Sequence, residues 1–212
     1  MSEPIMHRLR AETRAQHVAT EAIPFSSSIL AGTLSREAYA GQLAAYLPVH
    51  RAIETAVATS RHPALAEVWT ADMRRTPLLK EDLAVLGATT SSARAARAEG
   101  QSMAAWIAGL AGGDPVAILG VLYVMEGSTL GGAVLRRHLA RAFDLADAGL
   151  RYYSPYGTHP KPHWAAFSHR MNQAVTDEAD GRRVVTAAAE TFDRIGRILA
   201  ALSSPRQVAA AV

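Results

Sequence analysis

The stretch Leu122-Tyr123-Val124-Met125-Glu126-Gly127-Ser128-Thr129-Leu130-Gly131-Gly132 places three glycines inside an apolar segment that otherwise reads as helix. From Asp114-Pro115 to about Phe143 the pattern is that of one long helix: an Asp cap, a proline at the first helical position, then apolar residues at a period near 3.6. Each mid-helix glycine costs roughly 1 kcal/mol relative to alanine, so three of them need a reason beyond the helix itself. Two reasons are open. Bare backbone lets a helix bend and lets a flat object lie against it, and small residues let a neighbouring helix approach closely. Tyr123, Gly127 and Gly131 fall at i, i+4 and i+8, so the tyrosine stands at one end of a smooth strip.

Outward from this segment the same period recurs almost everywhere, and no alternating run reads as a strand. Helices are expected at about 4–22, 35–59, 63–72, 76–86, 101–111, 114–143, 162–174 and 177–203. Ser35 and Thr76 open the second and fourth as caps, and Pro48 is expected to kink the second. The Ala/Ser/Arg-rich segment 87–100 reads as a loop. Residues 152–162, with three prolines and a glycine, read as the longest irregular connection. The expectation is one all-α domain over 1–212, with 203–212 a frayed tail.

The chain has 212 residues, and 49% of them are hydrophobic, enough for a sizeable core. Cys is absent, which excludes disulfides, thiolate metal sites and covalent c-type haem attachment. No apolar leader is visible in Met1–Arg10 and no window reads as a membrane span, so a cytoplasmic protein without membrane partners is expected. The net charge of +3 is modest, and aromatics at 6% are too sparse for a nucleic-acid surface.

Eight histidines are the obvious chemical candidates. His62, His159 and His163 lie beside prolines or in loops, His138 sits in a basic helical run, and His7, His50 and His169 show no partner pattern. Glu-x-x-His and His-Glu-x-x-His pairs are missing, as are phosphate-binding glycine loops. His17 differs. Arg10, Thr13, His17 and Glu21 share one helical stripe, and Glu21 stands one turn on, where its carboxylate can accept the imidazole Nδ1 proton. That arrangement leaves Nε2 for a metal. Arg10 is two turns back, about 10 Å along an ideal helix axis, comparable to the distance from a haem iron to its propionates. An ordinary amphipathic helix with a polar stripe would look the same.

Taken together, a histidine-bearing helix and a glycine-rich helix resemble the haem oxygenase family, and its bacterial members more closely. The residues that carry the resemblance are Leu9-Arg10-x-x-Thr13-x-x-x-His17-x-x-x-Glu21 and Leu122-Tyr123-x-x-Glu126-Gly127-Ser128-x-Leu130-Gly131. His163-Trp164-x-x-Phe167, Arg170-Met171-Asn172 and the helix holding Phe192 fall where the family would place them. The resemblance runs from about Met6 to Leu202.

It implies a helical fold with haem b sandwiched between a proximal and a glycine-kinked distal helix. His17 would ligate the iron, Arg10 and Tyr123 would meet the propionates, and Glu21 would orient the ligand. Thr13, Trp164 and Phe192 would line the pocket. Gly127, Ser128, Gly131 and Gly132 would form the distal wall over the iron. The animal-type motif has an Asp after the first glycine; this chain has Ser128. The resemblance implies haem as both substrate and cofactor, cleaved with O₂ and electrons to biliverdin, CO and ferrous iron. A ferredoxin or flavodoxin-type reductase is the expected donor, and a bilin-binding photoreceptor a conceivable acceptor of the product. The alternatives are a non-catalytic haem-binding or trafficking protein, a thiaminase-like enzyme, which wants a catalytic Cys, missing here, or paired carboxylates in the core, and a purely structural bundle.

Overall fold

A computed structural model describes residues 3–87 and 93–203. Among these, eleven α-helices account for the regular structure: α1 Ile5–Glu12, α2 Arg14–Glu21, α3 Pro24–Leu30, α4 Arg36–Thr59, α5 Pro63–Val68, α6 Thr76–Leu86, α7 Arg94–Gly113, α8 Ile118–Gly127, α9 Thr129–Phe143, α10 Pro160–Ala174 and α11 Glu178–Ala200. Short 3₁₀ turns occupy Ala71–Met73, Pro115–Ala117 and Arg151–Tyr153. The all-α expectation holds.

Two long helices organise the core. α4 packs against α6 and α7, and α11 packs against α8, α7 and α2. α11 earns its place by pattern: Val184, Ala188, Thr191, Ile195 and Ile198 form a buried stripe. Its N-terminus is capped by Asp177, whose carboxylate accepts from the Ala179 and Asp180 amides at 2.9 and 3.0 Å. Ser35 caps α4 as expected, accepting from the Ala38 amide at 3.0 Å, and α4 continues through Pro48.

Several boundaries differ from the sequence expectation. The first expected helix is two, divided at Thr13, whose hydroxyl donates to Leu9 O at 2.6 Å. α3 was not expected. The expected loop 87–100 holds the first turns of α7, because alanine and arginine are strong helix formers even without apolar periodicity; residues 88–92 lie outside the described residues. Neither expected cap at Asp114 or Thr76 forms. The Asp114 side chain instead faces Arg183 at 3.7 Å. The start of α6 borrows a cap from α4: Glu54 Oε1 accepts from the Arg75 and Thr76 amides at 2.9 and 2.8 Å. The expected tail beyond Ser203 lies outside the described residues.

The glycine segment departs from one continuous helix. α8 ends at Gly127 and α9 begins at Thr129, with Ser128 as the joint. The Ser128 and Thr129 hydroxyls donate back to the Met125 and Glu126 carbonyls, each at 2.7 Å, a local bond that competes with the helical ladder. Contrary to the expectation, Pro115–Phe143 contains an 18-residue window apolar enough by composition to cross a membrane, with a mean hydropathy of 1.6. More than half of that window is buried within the protein, as befits a core helix.

Candidate functional site

A cavity of about 840 Å³ opens between α1–α2, α8–α9, α11 and the inner face of α4, within the size range of organic-ligand sites. Every residue expected to hold haem or form the distal wall contributes to its lining: Arg10, Thr13, His17, Glu21, Tyr123, Gly127, Ser128, Gly131, Gly132, Trp164 and Phe192.

One wall of the cavity is α2. His17 Nδ1 lies 3.4 Å from Glu21 Oε2, and the imidazole edge meets the Phe192 ring at 5.6 Å. Its side chain is about half exposed while facing the cavity. Thr20 ties this helix to α11 through Phe192 O at 3.5 Å. Because the chain turns at Thr13, the straight-helix distance between Arg10 and His17 does not apply, although both line the same cavity. Tyr123 stands at this edge. Burial raises its hydroxyl pKa, while a hydrogen bond with Thr13 and the charge of Arg10 pull it back down.

The glycine wall resolves the choice left open by spacing, and both reasons are used. A Cβ on Gly131 would meet nothing within 4 Å, and one on Gly127 would reach only the Trp164 ring at 3.5 Å. At Gly132 a Cβ would stand 2.6 Å from Tyr153 O, and at Gly120 it would run into the backbone of α11. Gly127 and Gly131 therefore keep cavity space clear, whereas Gly132 and Gly120 permit close packing. Trp164 closes this side, its ring 5.8 Å from Tyr123 and 5.5 Å from Phe167.

A set of buried polar groups, which sequence reasoning missed, lines the inner end. Gln42, Tyr46 and His50 come from α4, Arg75 precedes α6, and Tyr152 and Tyr153 come from the expected irregular connection. Asp82 holds that connection by accepting from the Arg151 and Tyr152 amides at 2.9 and 2.8 Å. Arg75, 2% exposed, donates to Glu126 Oε1 at 2.9 Å, and the Tyr156 hydroxyl donates to Glu126 Oε2 at 2.7 Å. Burial pushes the Glu126 carboxyl up, and Arg75 and Tyr156 oppose the push. Burial, aided by the Arg75 charge, lowers the His50 pKa to about 3, so its ring is neutral near pH 7 and Nε2 faces the Tyr152 hydroxyl at 3.4 Å. One sequence signal existed: Glu126 is a carboxylate in an otherwise apolar run, which implies a buried partner.

The family model described as "Heme oxygenase" matches residues 3–201. The chain belongs to the haem oxygenase family. Heme oxygenase 1 of Nostoc sp. is 24% identical over 197 residues, covering 91% of this chain and 83% of the relative. A heme oxygenase of Xanthomonas campestris is 30% identical over 132 residues, 62% of this chain and 71% of the relative. Among solved structures, heme oxygenase-1 of Synechocystis sp. in complex with heme superposes with a TM-score of 0.85 at 20% identity, covering 98% of this chain and 96% of that one. The heme oxygenase of Leptospira interrogans superposes at 0.84 with 20% identity, covering 93% and 99%. The helical fold expected from the sequence is thus the family's fold.

Proposed function

We propose that this chain is a haem oxygenase that cleaves haem with O₂ and electrons to biliverdin, CO and ferrous iron. The observation that carries the reading is local: Gly131 faces open space where any side chain would intrude, in the same cavity that His17 lines. A planar macrocycle needs such bare backbone on one side and an imidazole on the other.

On this reading His17 binds the iron through Nε2, and Glu21 keeps the proton on Nδ1, fixing the tautomer and raising ligand basicity. A neutral imidazole lacks the electron push of a thiolate, which disfavours O–O heterolysis in the cytochrome P450 manner. Arg10 meets a propionate by a charge-assisted contact, with Thr13 and Tyr123 beside it. Gly127 and Gly131 would leave the space over a bound haem free of side chains, with Ser128 between them and Gly132 packed against Tyr153 behind. The Ser128 hydroxyl donates its hydrogen bond to Met125 O, so proton supply falls to the polar groups at the inner end of the cavity, among them His50, Arg75 and Tyr152.

The chain works as one domain in the cytoplasm, with a ferredoxin or flavodoxin-type reductase as donor and a bilin-binding photoreceptor as a product acceptor. The exposed Arg14 at the cavity rim suits an acidic donor.

Haemin and a reductant in air test the reading. The Soret band is expected to decay as a biliverdin absorbance grows; a persistent band with no bilin leaves only a haem-binding protein. His17→Ala is expected to abolish the parent haem spectrum, with exogenous imidazole restoring it, and an unchanged spectrum removes His17 from the iron.

A further inference from the structure

The inner end of the cavity carries more phenols than binding a macrocycle requires. Tyr46, Tyr152 and Tyr153 line it, and Tyr39 lies behind them, fully buried. Tyr152 is the hub. Its ring centroid lies 5.4 Å from Tyr153, 5.8 Å from Tyr46 and 5.6 Å from His50, and Tyr153 lies 6.0 Å from Tyr39. Rings in contact exchange electrons readily, so these four share one redox neighbourhood beside a site proposed to activate O₂.

What separates the four is where a proton can go. Burial raises the pKa of each, so all stay protonated. A buried phenol gives up an electron easily only if its proton leaves too, because a charged product is costly in a low-dielectric interior. Tyr39 donates to Gly149 O and Tyr153 to Gln42 Oε1, each at 2.7 Å, and Tyr46 also bonds Gln42. Amide oxygens are poor bases. Tyr152 alone among them faces an imidazole nitrogen, His50 Nε2 at 3.4 Å. That ring is held neutral, and an oxidised phenol is acid enough to protonate it. Arg75 opposes a second positive charge there, and Glu126, paired with Arg75 at 2.9 Å, offsets it.

We propose that Tyr152 is a redox-active tyrosine with His50 as its proton acceptor, reducing bound haem in the minor fraction of encounters with peroxide that break the O–O bond despite the imidazole ligand and leave the haem oxidised above the ferric state. The balance is simple. The Tyr152 O–H bond breaks, an N–H bond forms on His50, the oxidised haem gains one electron, and a neutral tyrosyl radical remains. The one-electron donor that supports haem cleavage then restores the phenol, with the proton returning from His50. The beneficiary on this chain is Met125, a cavity-lining thioether beside the glycine wall that such an oxidant would convert to sulfoxide.

This inference rests on the haem oxygenase reading, so its test has two stages. Haemin titration and bilin formation come first; failure to bind haem overturns both. The haem-loaded protein is then mixed with hydrogen peroxide without reductant and freeze-quenched for electron paramagnetic resonance. A tyrosyl signal is expected in the parent and in Tyr156→Phe, absent in Tyr152→Phe, and several-fold weaker in His50→Leu. Mass spectrometry is expected to find several-fold more Met125 sulfoxide in Tyr152→Phe than in the parent. Normal bilin formation with no tyrosyl signal, or an undiminished signal in Tyr152→Phe, overturns this proposal alone.

Discussion

The two helical walls of the cavity are built on opposite terms. α2 has no buried residue, and its cavity-lining pair, His17 and Glu21, is held across one helical turn with both side chains more than half exposed. α8 buries eight of its ten residues, and its one carboxylate, Glu126, is locked between Arg75 and Tyr156. An exposed wall contributes little to folding and can be shaped for a ligand. A buried wall carries stability, so its polar groups must be satisfied by distant partners or the fold weakens.

The largest effect expected from this contrast follows loss of Glu126. Removing one member of a buried ion pair strands the other charge, typically at about 3–5 kcal/mol. Glu126→Ala is therefore expected to lower the urea midpoint sharply. Replacing both partners, Glu126→Leu with Arg75→Met, is expected to recover most of the loss. A Glu126→Ala protein as stable as its parent would mean that α8 is no more demanding than α2.

Next come the glycines, which sharpen the contrast within one wall. Gly132→Ala pushes a methyl into the Tyr153 backbone and is expected to destabilise by about 1–3 kcal/mol in thermal or urea unfolding. Gly131→Ala meets nothing and removes a helix-weakening residue, so fold stability is expected to hold or to rise by up to about 1 kcal/mol. Haem titration is expected to reverse the order of damage, with Gly131→Ala losing affinity. Equal stability losses for the two would erase the distinction between packing and ligand space.

What could be read from the sequence divides along the same line. Arg10, Thr13, His17 and Glu21 are joined by helical spacing, and Gly127 and Gly131 by theirs, so local periodicity reveals them and their cavity role. His50, Arg75, Glu126 and Tyr152 are joined only by the fold. Tyr39, Leu43, Tyr46 and His50 share a face of α4, a pattern that an ordinary core histidine also gives. Tyr152 lies in a Pro-rich connection whose shape depends on Asp82, 70 residues away in sequence. The helix break at Thr13 escaped periodicity too, whereas the one at Ser128 falls at the glycines that made a bend expected; at each joint a side-chain hydroxyl bonds its own backbone.

A smaller effect separates the walls by pH. His50 protonates near 6.5 when the chain is unfolded and near 3 when buried beside Arg75 and Tyr152. In that window the unfolded chain binds more protons, so stability is full above about pH 6.5 and falls as pH drops, by up to about 1.4 kcal/mol per unit. His50→Gln is expected to flatten this slope in urea unfolding followed from about pH 7 to about pH 5. An unaltered slope would show that the inner wall titrates through other groups.

The smallest change in folding is expected where α2 is most exposed. The His17–Glu21 pair at 3.4 Å is of the surface kind that contributes about 0–1 kcal/mol, so Glu21→Ala is expected to leave the unfolding midpoint nearly unmoved. Haem affinity is expected to fall about 10–100-fold in the same variant, because a carboxylate behind a ligand histidine fixes its tautomer and orientation. A variant that keeps parental haem affinity would show that Glu21 does not orient His17. One that instead unfolds easily would show that α2 carries more of the fold than its exposure implies. Affinity lost at Glu21 with stability unmoved, against stability lost at Glu126, is the outcome that distinguishes a wall shaped for a ligand from a wall that holds the core.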